Sequence, residues 1–200
     1  MSAARPALLW TSAALVAALE LYAASLILHP NVDPAYRAYY IDHSTDCWPH
    51  VTDGAYVLGT TVGFVKGPTN TYARNKICGW FYTDGSGTWS YGHYSLLRFV
   101  FAPSPGALTL SITAGAMVNP AHPVQQVAVS ANGTALGTML FTSLAPATAT
   151  LAVPAALAAT SKLELRFDYP DARPGTELGP NDDSHPRAIR MVSLTLSPAG

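Results

Sequence analysis

An apolar run near the N-terminus constrains this chain more than any other feature. Residues 7–28 read ALLWTSAALVAALELYAASLIL, and Glu20 is their only ionisable side chain. About 20 such residues are needed to cross a bilayer, so the run predicts one spanning helix. The alternative is a cleaved secretory signal, because residues 7–19 suit its apolar region and Ala23 and Ser25 supply small residues for cleavage. Either alternative exports the rest of the chain.

The charges beside this run predict its orientation. Arg5 and the amino group precede it, whereas residues 29–34 contain no Lys or Arg. Positive charge is retained on the cytoplasmic side of membranes, so we expect a cytoplasmic N-terminus. The predicted organisation is a signal-anchor helix over residues 1–30, an irregular linker over 31–54 and an exported domain over 55–200.

Glu20 lies just past the middle of the predicted span, where an ionisable side chain is costly. One interpretation makes it a contact to a partner subunit inside a larger membrane assembly. The other is a protonated Glu that an Ala-rich single helix tolerates. Small residues at Ala13, Ala17, Ala18 and Ala24 would permit close packing of a second helix.

Cys47 and Cys78 are the two cysteines, and an even number in an exported chain favours a disulfide. A metal site is the alternative, because HSTDCWPH groups His43, Asp46, Cys47 and His50. A thiolate ligand would leave Cys78 unpaired in an oxidising compartment, so we predict the disulfide, no metal site and no cofactor.

The chain after residue 54 is a series of short apolar or alternating runs separated by turn residues, which indicates an all-β domain. Alternation is clear where Leu108, Leu110 and Ile112 are interleaved with hydroxyl residues. The strands are predicted at residues 55–65, 77–83, 94–101, 107–114, 124–131, 135–141, 148–153, 162–169 and 188–196. This number and spacing of strands predict a two-sheet antiparallel β-sandwich behind one N-terminal transmembrane helix.

Two connections are predicted in detail. Asn132 and Gly133 between two alternating runs predict a type I′ hairpin. Asn132 also begins an N-glycosylation sequon, but the turn accounts for the same residues. The segment PAALAAT at residues 154–160 predicts one short helical turn between two strands.

Residues 87–198 carry motifs in a familiar order: GTWSYGHYSLLRF, VAVSANGTALGT, LAVPAALAAT, LELRFDYPDARP and DDSHPRAIRMVSLTL. This order resembles the jelly-roll-like β-sandwich domains, similar to carbohydrate-binding modules, that are appended to bacterial membrane proteins of envelope glycan synthesis. The resemblance implies a jelly-roll-like sandwich in the bacterial envelope, with the chain in the inner membrane and its main domain periplasmic.

Composition and motifs exclude several functions. Charged residues make up 12% of the chain, its net charge is -1, and no run of basic residues occurs, so nucleic acid is not an expected partner. Nucleophile elbows, phosphate-binding loops and zinc-protease motifs are missing from the sequence. We therefore expect a protein that is not an enzyme.

Binding of carbohydrate is easier to argue, because sugar rings have apolar faces that stack on aromatic side chains and hydroxyls that need polar partners. Trp80, Trp89, Tyr91 and Tyr94 supply aromatic rings, unless they are packed in the core. The loop ELGPNDDSHP supplies polar groups, unless it is a solvated turn or a structural calcium site; its candidates are Asn181, Asp182, Asp183 and His185.

Two functions are therefore predicted for a chain held in the lipid bilayer. The first is a non-catalytic carbohydrate-binding or accessory module of an envelope process, with a glycan as its partner. The second is a structural accessory subunit of an integral membrane complex, held by its single helix with the sandwich docked on the periplasmic side. The low charge mildly favours a docked protein.

Overall fold

The structure is a computed structural model that describes residues 4–102, 105–178 and 184–200. The chain divides into two compact units, residues 1–42 and residues 43–200. Each unit is described by itself below.

The first unit begins with helix α1, Ala4–Leu28, as the apolar run predicts. Its sequence is rich in Ala and Leu, which are strong helix formers, and the helix ends just before Pro30, which lacks a backbone donor. Residues Trp10–Leu28 are long and apolar enough to cross a membrane, and a signal sequence would have the same properties. Helix α2, Pro34–Tyr36, and a π-helical turn, Arg37–Ile41, complete the unit.

The second unit is built mainly of strands. In the described residues these are β1 Thr61–Gly63, β2 Lys76–Cys78, β3 Trp80–Asp84, β4 Gly87–Ser90, β5 Tyr94–Val100, β6 Leu108–Ala116, β7 Gln125–Ala131, β8 Thr134–Phe141, β9 Ala147–Val153, β10 Lys162–Asp168, β11 Arg173–Pro174, β12 Pro186–Arg187 and β13 Ile189–Pro198. Three short helical turns connect them: a 3-10 turn Tyr72–Arg74, α3 Ala155–Ala158 and α4 Gly175–Leu178.

These strands form two main antiparallel sheets. One has the order β3-β4-β13-β6-β9, with β1 paired to β13 beyond the end of β4. The other has the order β2-β5-β10-β7-β8, and β11 pairs with β12 in a separate two-stranded sheet. Apolar residues on alternate positions fill the space between the sheets, because successive side chains of a strand point to opposite faces; fully buried examples are Leu97, Phe99, Leu110, Ile112, Leu165, Phe167 and Leu194. The predicted two-sheet antiparallel sandwich behind an apolar helix is confirmed.

Both detailed predictions about connections are confirmed. Asn132 and Gly133 have φ angles of 47° and 80° and join β7 to β8. The Asn132 side chain accepts a hydrogen bond from Glu164 N and donates to the carbonyls of Leu157 and Lys162. The helical turn predicted in PAALAAT is α3.

Three strand predictions need correction. The predicted strand 55–65 is a strand only over Thr61–Gly63, because a turn closed by Thr60 N donating to Val57 O precedes it. The predicted strand 77–83 is two strands, divided at Gly79, which has a φ of 77° and packs against the Tyr94 backbone. Strand β4 was not predicted, because four residues between glycines carry too little alternation to show a strand.

The disulfide prediction is confirmed. Cys47 is bonded to Cys78, and their Cα atoms lie 5.2 Å apart. The sulfur of Cys47 is therefore not a thiolate, and the alternative metal site loses its strongest ligand.

Candidate functional site

Strands β3 and β4 distribute their aromatic side chains over both faces of the sheet. Trp80 points into the core, where its ring centroid lies 5.3 Å from that of Phe64 and 6.2 Å from that of Phe167. Its indole N–H donates to the carbonyl of Leu96. Phe81, Trp89 and Tyr91 lie on the outer face, outside the core cluster.

The outer residues form a contiguous group, here called the outer aromatic cluster: Phe81, Trp89, Tyr91, His185 and Arg187. The rings of Phe81 and Tyr91 are nearly parallel, at 4°, with centroids 5.6 Å apart. The His185 ring lies 4.9 Å from that of Tyr91. Exposed Tyr82 extends this aromatic surface, with its ring 4.7 Å from that of Phe81.

Two arginines lie over the rings of this cluster. The guanidinium carbon of Arg187 is 4.4 Å from the centre of Phe81 and 6.0 Å from that of Trp89. Arg190 lies 5.6 Å from the centre of Trp89, which it opposes across the β4–β13 pair. A cation over an aromatic face is attracted by the negative charge of that face, so both arginines are held in place.

Backbone contacts fix the cluster to the sheet. Tyr91 N donates to Gly79 O, and Gly92 N donates to Pro186 O at 3.0 Å. Ser90 Oγ accepts hydrogen bonds from the N–H groups of Ala188 and Ile189. The segment that carries His185 and Arg187 is therefore attached to the end of β4.

The turn between β3 and β4 is held by Asp84. One of its carboxylate oxygens accepts hydrogen bonds from Ser86 Oγ, Ser86 N and Gly87 N. These bonds, with that of Ser86 Oγ foremost, and the nearby charge of Arg190 lower the pKa of Asp84. The hairpin that carries the outer aromatic cluster is thus closed by an ionised carboxylate.

The structure divides the predicted binding residues among several places. Trp89, Tyr91 and His185 belong to the outer aromatic cluster. Trp80 and Trp89 are 6% and 8% exposed, so protein covers both rings: Trp80 is packed in the core, and Trp89 lies beneath Arg187 and Arg190. Asn181, Asp182 and Asp183 lie outside the described residues.

Tyr94 lies on the outer face of the other sheet. The guanidinium of Arg166 covers its ring at 4.0 Å, and its hydroxyl shares a hydrogen bond with Thr45 Oγ1. Arg166 is itself held by two oxygens of Asp168. The ring of Tyr94 is therefore engaged within the protein and is separate from the outer aromatic cluster.

Sequence reasoning missed two members of the cluster, Phe81 and Arg187. Phe81 could have been predicted from the alternation of side chains along a strand, because the residue that follows an inward Trp80 points outward. Arg187 gave no such signal, since its neighbours Pro186 and Ala188 are attached to Gly92 and Ser90 by hydrogen bonds that the sequence does not reveal.

Comparisons with known proteins give matches among solved structures alone. No family model and no curated protein matches the chain. The chain is similar to the solved CBM36-1 domain of a multidomain xylanase from the hindgut metagenome of Trinervitermes trinervoides, with 14% identity over 70% of this chain and 98% of that one, at a TM-score of 0.40.

Two further solved structures are similar to the chain. One is a carbohydrate-binding module CBM36 in complex with calcium and xylotriose, with 14% identity over 76% of this chain and 94% of that one, at a TM-score of 0.37. The other is a family 35 carbohydrate-binding module from Clostridium thermocellum, with 11% identity over 68% and 98% of the two chains, at a TM-score of 0.38. Both of these structures are carbohydrate-binding modules.

Proposed function

We propose that this chain is a membrane-anchored, non-catalytic carbohydrate-binding module whose sandwich lies on the periplasmic side of the bacterial inner membrane. The outer aromatic cluster is the observation that supports this function. It combines the rings of Phe81 and Tyr91, both half-buried, with the exposed ring of His185. Aromatic surfaces with a few fixed polar groups are typical of small-molecule sites.

The chemistry of the cluster suits a sugar. The apolar face of a pyranose ring stacks on exposed aromatic side chains. Here these are Tyr82, which is 58% exposed beside Phe81, and the exposed ring of His185 beside Tyr91. The ring nitrogens of His185 and the hydroxyl of Tyr91 supply hydrogen-bonding groups for sugar hydroxyls. Asn181, Asp182 and Asp183 precede His185 by a few residues, and we keep them as proposed ligands of the same glycan.

The membrane anchor is proposed from α1 and the disulfide. Residues Trp10–Leu28 are apolar over 19 residues, and the Cys47–Cys78 disulfide is typical of oxidising compartments. Arg5 precedes the apolar residues Trp10–Leu28 and supports a cytoplasmic N-terminus by the positive-inside rule.

A glycan array tests the binding function. The full chain, kept in a detergent without a sugar headgroup, is labelled and applied to immobilised neutral and acidic bacterial glycans. Tyr91→Ala is expected to abolish binding, whereas Leu140→Ala, which removes an exposed side chain from edge strand β8, leaves binding unchanged. Absence of binding by the unaltered chain, or equal loss in both variants, contradicts the proposal.

A second function, a structural subunit of an integral membrane complex, is favoured by Glu20. Its carboxyl lies within the apolar part of α1, and such groups usually face a polar partner. A mild-detergent pull-down of the full chain is the test. A stoichiometric integral membrane subunit that is retained by Tyr91→Ala but lost with Glu20→Ala supports it, whereas recovery of the bait alone contradicts it.

A further inference from the structure

The segment after α1 carries a compact group of tyrosines, here called the tyrosine turn: Tyr36, Tyr39 and Tyr40. The ring of Tyr40 lies 4.8 Å from that of Tyr36 and 4.8 Å from that of Tyr39. Tyr36 and Tyr40 are 42% and 50% exposed, and neighbouring Ile41 is 40% exposed. An exposed group of large rings is unusual on a surface that faces only water.

The position of the tyrosine turn follows from the length of α1. The 19 residues Trp10–Leu28 span about 28 Å as a helix. This length nearly matches the hydrocarbon core of a bilayer, about 30 Å thick. If the helix is a membrane anchor, Leu28 lies at the boundary between hydrocarbon and headgroups.

Local contacts keep the turn close to that boundary. A guanidinium nitrogen of Arg37 donates to the carbonyl of Pro30 at 2.9 Å. An extended arginine side chain reaches about 7 Å, so the backbone of the turn is within roughly 10 Å of Pro30, the second residue after the helix. The headgroup layer is about 5–7 Å thick on each side, and the turn therefore lies in or at the edge of it.

The turn itself is a folded unit. Asp33 accepts a hydrogen bond from Ala35 N at the start of α2, and Asp42 N donates to Arg37 O at its end. Arg37 also lies 3.9 Å from a carboxylate oxygen of Asp42. The rings are thus presented by a short helical scaffold and not by an extended linker.

We propose that the tyrosine turn is a membrane-interface anchor that inserts its rings among phospholipid headgroups on the side opposite the N-terminus. Tyrosine prefers this layer because its ring is apolar and its hydroxyl needs a polar partner. The proposal rests on the membrane anchoring proposed above and adds a second, separate contact to the lipid.

The charges of the turn indicate whether its contact with the membrane depends on the charge of the lipid headgroups. Asp33, Arg37 and Asp42 are its only charged residues, and together they carry one net negative charge. Attraction to anionic lipids needs clusters of basic residues, so contact of the tyrosine turn with lipid is independent of lipid charge.

Photocrosslinking of the full chain tests this inference. p-Benzoylphenylalanine replaces Tyr36 or Tyr40 in chains reconstituted into vesicles of phosphatidylcholine with or without phosphatidylglycerol, and lipid adducts are quantified by mass spectrometry. Tyr82, which is 58% exposed on β3, provides a matched control position in the sandwich. We expect about tenfold more lipid adduct at positions 36 and 40 than at position 82, in both lipid mixtures.

A fourth position separates this inference from the anchor on which it rests. Leu19, 67% exposed in the middle of α1, must give acyl-chain adducts if the helix spans the bilayer. Adducts at Leu19 without any at positions 36 and 40 overturn the tyrosine turn as a lipid anchor while the spanning helix stands. Absence of adducts at Leu19 overturns the anchor itself. Adducts at 36 and 40 only with phosphatidylglycerol overturn the inference of charge-independent contact.

Discussion

The two faces of the β3–β4 hairpin use aromatic residues in opposite ways. On the inner face, Trp80 packs against Phe64 and Phe167 and satisfies its N–H with a backbone carbonyl. On the outer face, Phe81 and Tyr91 stack on each other and meet the side chains of His185 and Arg187. Neighbouring residues of one strand therefore have different roles: an inward side chain stabilises the core, and an outward side chain forms part of the aromatic surface.

The largest expected effect is on the inner face. Trp80→Ala removes a buried ring and should lower the free energy of unfolding by about 3–5 kcal/mol. Urea denaturation of the full chain in detergent, followed by circular dichroism, measures this. Tyr82→Ala, which removes a ring that is 58% exposed on the same strand, should cost clearly less, and an equal cost for both would break the comparison.

The next effect concerns the disulfide that fixes the end of β2. Replacing Cys47 and Cys78 by serine should lower the free energy of unfolding by about 3–4 kcal/mol, because the unfolded chain loses a closed loop. The same denaturation experiment, with and without reductant, detects it. Reductant should leave the stability of the double variant unchanged and should lower the stability of the unaltered chain to that of the variant. A change in the stability of the variant on adding reductant would refute this explanation.

A smaller effect is expected from the outer rings. Tyr91→Ala removes a stacked pair, and such pairs contribute about 0.5–1.5 kcal/mol. A double-mutant cycle with Phe81→Ala isolates the interaction between the two rings. A coupling energy near zero would show that the parallel stacking does not stabilise the cluster, and a loss as large as that for Trp80→Ala would place these rings in the core.

The smallest expected effect depends on pH. Because the folded state lowers the pKa of Asp84, its ionised form stabilises the fold above the ordinary carboxyl pKa, and this contribution is lost as pH falls through the lowered value. The carboxylate is near the surface, so we expect less than about 1 kcal/mol. Asp84→Asn should reduce stability at pH 7 and leave a smaller pH dependence below pH 4; an unchanged pH dependence would exclude Asp84 as its source.

Much of the sandwich could be predicted because buried apolar residues recur at every second position of its longer strands. Strands β6 and β10 alternate apolar and polar residues, and their ends match the predicted ends within two residues. The hairpin at Asn132 could be predicted because its turn needs two positive φ angles, which few residues other than Asn and Gly adopt. Strand β4 was not predicted, because its four residues are all buried and its sequence shows no alternation of apolar and polar residues.

The candidate site was only partly predictable, because sequence shows residue types but not which face they occupy. Trp80 and Trp89 looked equivalent in the sequence, yet they lie on opposite sides of one sheet. Tyr94 followed Tyr91 by three residues but belongs to the other sheet. Arg187 joins the cluster because its neighbours Pro186 and Ala188 form hydrogen bonds with Gly92 and Ser90, contacts that depend on the folded chain.

The hydrogen bonds of Asn132 have a practical consequence for producing the protein. A host that glycosylates Asn-X-Thr sequences during translocation would attach sugar to the same side-chain nitrogen that donates to Leu157 and Lys162. The modified amide keeps one hydrogen, so one of these carbonyls would lose its partner at the junction of three strands. Secreted eukaryotic expression should therefore give less folded material than bacterial export, and Thr134→Ala, which removes the sequon but keeps Asn132, should restore the yield.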